Sequence, residues 1–508
     1  MESPRVTRGV AYIGIMNLTD GLIAFAFYFF IARILPTSDI GHISMMFFIM
    51  SAFNTFTLLA LHSAVIKYVA EFTGAGAPET ATAVTKKAVR LLSITSLPAF
   101  LVMVILSPWI SSTFFGGGLS ATVLITVLLS ALLLNFMNYC GGIMYGLGLF
   151  GDVTVMNIVF YAFSRFPALV LAFLNFGVLG VGFGLIIGIS TSLVYSIFRL
   201  RGKLARTSAD FSTKRLLSFS CPLYVSNMLY LGQGWLDLVL LYALTGNSTL
   251  IGAYYLVIGG IYVISIFSTP VTFTLLPTMS HRYGENGIAG LEKPVSSAFR
   301  IMTIVVVPLS AGLAAVAPTA LKVAYGSSYV QNSLAFALLA TVAVFSGYWG
   351  ILSSALQVLE KTLWILLIAI VGLISNALVI SATVSLLGTV GAALGRSCMI
   401  IVMFLIAFTV LRRNASLNLT FDRKLSAKIL TIAIMIGIPL LLVDNTLRSY
   451  DARPLVAGTI DLATFLMLGF AGFRILRPLN SDDAALVESA FPRALRGVAR
   501  RLVEVVAD

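Results

Sequence analysis

Within its long apolar runs the sequence carries only a handful of groups able to do chemistry. Asp20 stands in the middle of one run, with Asn17 one turn earlier on the same helical face. Asn157, Tyr161 and Arg165 recur at i, i+4 and i+8 and form one polar stripe. Asp237 shares a face with Gln233 and Tyr230, and Arg396 and Asp461 stand in later runs. An ionisable group near a bilayer centre costs on the order of 2.5–3.5 kcal/mol by insertion scales, so each needs a partner or a wet cavity. Arginine suits phosphate, because its planar fork takes oxygens in pairs.

Two readings of these groups follow. In the first, Arg165, with Arg396, meets the phosphate of an anionic ligand. Tyr161, Asn157, Asn135, Asn138 and Gln233 then offer hydrogen bonds to its hydroxyls, and Asp20 and Asp237 bind a coupling proton or sodium ion. In the second, Asp20–Arg165 and Asp237–Arg396 are buried pairs that hold helices together. Asp461 fits packing or an interfacial position. Lys67 fits an anchor at the inner membrane face whose ammonium reaches headgroup phosphate.

Other chemistry is weakly supported. His42, His62 and His281 are scattered and make no metal set; His42 and His62 fit membrane interfaces. Cys140, Cys221 and Cys398 have no metal spacing and read as packing residues. Gly146 to Gly151 matches GxGxxG but follows no strand, and no GxxxxGK[ST] occurs. Asn247-Ser-Thr is a glycosylation sequon in an expected outer loop. No catalytic constellation and no cofactor motif is present.

The elements that must position these residues are apolar helices. Of 508 residues 59% are hydrophobic and 10% charged, against ~25% charged in soluble domains. The apolar stretches run about 18–25 residues, enough to cross a ~30 Å hydrocarbon core. We expect an all-α polytopic membrane protein with about 14 spans, at 9–35, 40–62, 88–110, 119–145, 153–175, 177–198, 216–244, 251–276, 298–317, 331–355, 362–385, 389–411, 427–444 and 454–474. The first run is too long for a cleavable signal peptide and lacks an A-x-A site.

Lysine and arginine set the orientation. With the N-terminus inside, 27 of the 33 lie on inner segments and four outside. That places both termini in the cytoplasm, for a multi-pass protein of the cell membrane. It also explains the net charge of +13 by attraction to the anionic inner leaflet, with no need of nucleic acid. The outer loops are too short for a catalytic domain. From Ser481 to Asp508 the tail interleaves Leu486, Phe491, Leu495, Leu502 and Val506 with Arg493, Arg496, Arg500 and Arg501, which reads as a basic surface helix on the inner membrane face or as a loosely ordered tail.

An internal repeat relates the two halves. Pro98, Pro108 and Gly116 match Pro308, Pro318 and Gly326 at an offset of 210. Ile40-Gly41 matches Ile251-Gly252, and Leu179-Gly180 matches Leu387-Gly388. Two six-helix units of the same orientation form two lobes about a central cavity in this reading. They are an N-lobe over 1–200 and a C-lobe over 201–412, followed by two further helices over 413–476 and the tail over 477–508. The repeated prolines are hinges or static kinks.

At this point the chain resembles a known group. Ile31-Ala-Arg-Ile-Leu-Pro-Thr-Ser-Asp-Ile-Gly41 is similar to a signature at the first helical hairpin of polysaccharide transporters. Ser63-Ala-Val-Ile-Lys-Tyr-Val-Ala-Glu71 resembles the end of their second span, and Asp237 before Ile251-Gly-Ala-Tyr254 resembles their seventh. Pro36 stands where glycine is usual, and Lys67 where arginine is usual. The family is the oligosaccharide-flippase branch of the multidrug/oligosaccharidyl-lipid/polysaccharide exporter superfamily. The resemblance implies flipping of a lipid-linked oligosaccharide by alternating access, among membrane lipids and without a cofactor. Two other readings stay open: a cation-coupled multidrug extruder of the same superfamily, and a membrane glycosyltransferase or polymerase.

Overall fold

The computed structural model describes residues 4–205, 209–414, 417, 419 and 422–478; the tail helix expected over 481–508 lies outside them. The helices are α1 (Pro4–Ile34), α2 (Thr37–Leu58), α3 (Leu61–Gly74), α4 (Pro78–Phe115), α5 (Ala121–Gly146), α6 (Phe150–Leu171), α7 (Gly177–Leu200) and α8 (Thr213–Thr245). They continue as α9 (Ser248–Asn286), α10 (Ala289–Ala315), α11 (Ala317–Ala324), α12 (Ser333–Val358), α13 (Thr362–Leu387), α14 (Thr389–Asn414), α15 (Arg423–Ser449) and α16 (Pro454–Leu476). No strand occurs among the described residues.

Thirteen stretches are long and apolar enough to cross a membrane. One of them, Phe150–Leu200, has 51 residues, about 77 Å as a helix at ~1.5 Å per residue and more than twice a bilayer core. It is a hairpin, because the chain turns at Asn175 (φ 67) and Gly177 (φ 54, ψ −135) and α6 packs along α7. The expected 14 spans are therefore present. Large apolar side chains stay exposed in stripes, such as Ile94, Leu97, Leu101 and Ile105 on α4. In water such a stripe would be an adhesive patch; in hydrocarbon it is solvated.

The chain divides into two compact units. The first comprises residues up to Trp235 with Gly246–Gly252; the second comprises Leu236–Thr245 and the chain from Ala253. A buried core in the second unit joins Met302, Tyr348, Ile351, Met399 and Phe404, from α10, α12 and α14. A smaller core seats Ile429, Ile432 and Ile436 of α15 against Ile304 and Ala315.

The repeat shows in backbone detail. Gly388 turns the α13–α14 hairpin at φ 53, ψ −122, almost the angles of Gly177. The structural partner of Gly388 is thus Gly177, not the Gly180 that sequence matching selects. The same register pairs Gly184 with Gly395. A Cβ on Gly184 would meet Ser164 O at 2.5 Å, and one on Gly395 would meet Ile380 Cγ1 at 2.3 Å. Glycine is what lets the two helices of each hairpin close.

The prolines differ between halves. Pro98 and Pro108 lie inside the continuous α4. In the second half Pro308 lies inside α10, but Pro318 opens a new helix, α11, after a break at Val316. Pro318 therefore does not kink a continuous helix.

Candidate functional site

Both ion pairs read from the sequence form, and they differ. In the second unit Asp237 is fully buried. Arg396 of α14 grips it with two hydrogen bonds, Nε to Oδ2 at 2.5 Å and Nη2 to Oδ1 at 3.0 Å. The Tyr254 hydroxyl of α9 donates to Oδ2 at 2.7 Å, and the Leu238 amide donates to Oδ1 at 3.0 Å. Four donors thus meet the carboxylate, near the number of lone pairs it offers. Three helices are joined there.

In the first unit Arg165 of α6 faces Asp20 of α1 with Nη1 and Oδ1 3.4 Å apart. That is an ion pair, but neither atom has a hydrogen-bond partner. The side chains are 20% and 35% exposed. The guanidinium lies 5.1 Å from the Tyr161 ring centre and 6.0 Å from that of Phe27, within cation–π range. The predicted stripe therefore holds at Tyr161 and Arg165. Asn157 is half-buried and donates back to the Val153 carbonyl at 2.9 Å.

Asn135 is placed otherwise. It is fully buried, and its Nδ2 donates to Thr57 Oγ1 at 2.6 Å and Ser96 Oγ at 3.0 Å. Its Oδ1 accepts from Asn54 Nδ2 at 2.6 Å. The amide ties α2, α4 and α5 together and has no surface to offer a sugar. Asn138 and Gln233 are half-buried. Lys67 is exposed on α3, its ammonium 4.3 Å from the Phe219 ring centre and 4.8 Å from that of Tyr68.

The structure adds a feature that sequence reading missed. The second span breaks between α2 and α3, where Leu59 (φ 50) and Ala60 (φ 54) are both left-handed. Neither is glycine, so this turn is strained. By that point α2 has run 22 residues, about 33 Å, so the break falls where a bilayer crossing ends. At the start of α3 the Ser63 and Ala64 amides donate to the Ala60 carbonyl at 3.1 and 3.4 Å. In the last turn of α2 the Thr57 carbonyl accepts from Thr95 Oγ1 at 2.7 Å.

Beside the break lies a cavity of about 350 Å³, within the ~300–1,000 Å³ range of small-molecule sites. Asn54, His62, Asn227, Tyr230 and Trp235 line it, with Ser51 and Thr55. No charged side chain is among them. Ser51, Asn54 and Leu58 recur at helical spacing, as do Asn227, Leu231 and Trp235. That periodicity was the available signal, and it is faint.

The molecule is thus a multi-pass membrane protein whose first unit holds, among the described residues, an open ion pair and a neutral polar cavity. Solved structures share its fold. It is similar to the lipid II flippase MurJ in an inward closed conformation, with a TM-score of 0.70 and 15% identity over 92% of this chain and 99% of that one. It is also similar to a multidrug resistance MATE family transporter of the MOP superfamily. The inward-facing form gives a TM-score of 0.60 and 17% identity over 80% of this chain and 99% of that one. The outward-facing form gives 0.54 and 18% over 82% and 96%. No curated protein matches by sequence. The polysaccharide biosynthesis protein family matches residues 30–334, and the chain belongs to that family.

Proposed function

We propose that the protein flips a lipid-linked oligosaccharide across the cell membrane by alternating access, with both termini in the cytoplasm. Membership of a polysaccharide biosynthesis family supports a saccharide cargo, and the fold is one that a lipid II flippase also has. The observation that carries the site is the loose Asp20–Arg165 ion pair, whose facing atoms are 3.4 Å apart without a hydrogen bond while the two side chains stay partly exposed. A guanidinium held this loosely can turn its other donors to a phosphate oxygen. Asp20 then becomes the group that a proton or sodium ion neutralises. Tyr161 and Asn157 extend the stripe toward sugar hydroxyls. Lys67 sits where a headgroup phosphate is within reach of the inner face. Asp237 and Arg396, each occupied by the other, hold α8, α9 and α14 together.

The test is leaflet-resolved translocation of a lipid-linked oligosaccharide in proteoliposomes. Arg165→Ala is expected to slow it about 10–100-fold, the effect of losing ~1.5–3 kcal/mol in a hydrogen bond to a charged group. Equal rates for the two proteins would remove the assignment. A second reading, a cation-coupled multidrug extruder, draws on the fold shared with the MATE transporter and on the partly exposed Asp20 side chain. Transport of a cationic dye by the pure protein, abolished in Asp20→Asn, would favour it over the flippase.

A further inference from the structure

Helices α15 and α16 lie beyond the two six-helix repeats, and they bring two carboxylates together. Asp444 of α15 is fully buried and Asp461 of α16 is 3% exposed. Asp444 is well served: the Thr319 hydroxyl of α11 donates to its Oδ1, and Arg448 Nε donates to Oδ2 at 2.9 Å. Arg448 is held in turn by Asn445. Asp461 lies beside Asp444, yet both its carboxylate oxygens are buried without a hydrogen-bond partner. Apolar neighbours enclose the region, with Phe465 against Gly312 and Val323 against Gly458.

The charges do not balance. With both carboxylates ionised, two negative charges would face the single positive charge of Arg448. Lys322, the nearby cation on α11, turns to the exposed Asp451, 3.9 Å away. A buried carboxylate with no donor and an excess negative charge is among the costliest arrangements a membrane-spanning segment can hold. One added positive charge between the two carboxyl groups removes both problems. It supplies Asp461 with a partner and brings the cluster to neutrality.

We propose that Asp444 and Asp461 form a binding site for one singly charged cation, a proton or a sodium ion, which pins α16 to α15 and α11. A proton would join the carboxyl groups as one O–H···O hydrogen bond. A sodium ion would take their oxygens, with the Thr319 hydroxyl adjacent. The site is separate from the Asp20–Arg165 pair and stands whether or not the flippase reading does.

The experiment uses the full-length protein in lipid nanodiscs. Its unfolding temperature is measured across pH, with sodium chloride replaced by choline chloride at constant ionic strength. Its infrared spectrum is recorded in the carboxylic carbonyl region. A bound proton predicts a band from a buried neutral carboxylic acid, absent in Asp461→Asn, and an unfolding temperature that falls as pH rises and strips the proton. A bound sodium ion predicts an unfolding temperature raised by sodium but not by choline, a response that Asp461→Asn lacks. Asp461→Asn keeps the shape and removes the charge, so it is expected to fold. Should it not, Thr319→Val tests the same site through the hydroxyl. The proposal is overturned if the wild-type protein shows neither the acid band nor a sodium response. It is equally overturned if Asp461→Asn shows the same band and the same response as wild type.

Discussion

Asp237–Arg396 and Asp20–Arg165 have the same chemistry and opposite states of saturation. The first pair is closed: two direct hydrogen bonds, a tyrosine hydroxyl and a backbone amide leave Asp237 nothing further to accept. The second is open: its facing atoms form an ion pair 3.4 Å apart without a hydrogen bond, and both side chains are in part exposed. A charge in a membrane helix is therefore not by itself a sign of binding. In the function proposed above, what separates scaffold from site is whether donors and acceptors remain after the protein has satisfied its own.

The largest expected effect tests the closed pair. Removing one partner of a buried ion pair strands the other, so Arg396→Ala or Asp237→Ala should cost about 3–5 kcal/mol. The readout is a much lower unfolding temperature and poor recovery of folded protein. A variant as stable as wild type would show that the pair is not structural. Next comes Asn135→Ala, in the same unit as the open pair. It takes the side-chain partner from Ser96 and Asn54 and a donor from Thr57 and should cost about 1–3 kcal/mol; a neutral result would mean that the first unit tolerates polar loss in general, which would blur the contrast.

A double-mutant cycle of Asp20→Asn with Arg165→Gln should give a coupling of only about 0–1 kcal/mol, as for partly exposed pairs. A coupling near that of the closed pair would erase the distinction. The smallest effect lies outside the membrane. Lys87 donates to Asp210 at 3.0 Å and holds its exposed carboxyl below the usual carboxylate range. Because the folded-state pKa is lowered, this contact is present at neutral pH and is lost as pH falls through that lowered value. Asp210→Asn should leave the unfolding temperature unchanged at neutral pH.

Much of this was legible in residue types. A charge in an apolar run must find a partner, which is why both pairings could be named before any coordinates. The helix count followed from stretch length, and the structure puts the turn between the spans of the 51-residue stretch at Asn175–Gly177. Asn135 misled, because an amide facing a cavity and an amide saturated inside a bundle have the same spacing. Helix ends were short as well. Beyond the apolar window α3, the start of α4 and the end of α9 continue on polar residues, where hydropathy gives no guide. Asp444 sat at the end of a predicted span and gave no signal until α16 brought Asp461 beside it.

The break at Leu59–Ala60 was invisible for a different reason. Leu58-Leu-Ala-Leu-His62 contains neither glycine nor proline, and tertiary contacts such as Thr95 on the Thr57 carbonyl hold the turn open against local preference. This has a practical consequence for the cavity beside it. Leu58 and Ala60 form part of its wall, and their path is set by the left-handed turn. Side-chain scanning across 58–62 would leave that turn in place and pass over it. A backbone change, such as Ala60→Pro, would reach it, because proline cannot take the φ of 54° found there. The shape of the wall can thus persist while the amino acids that build it drift.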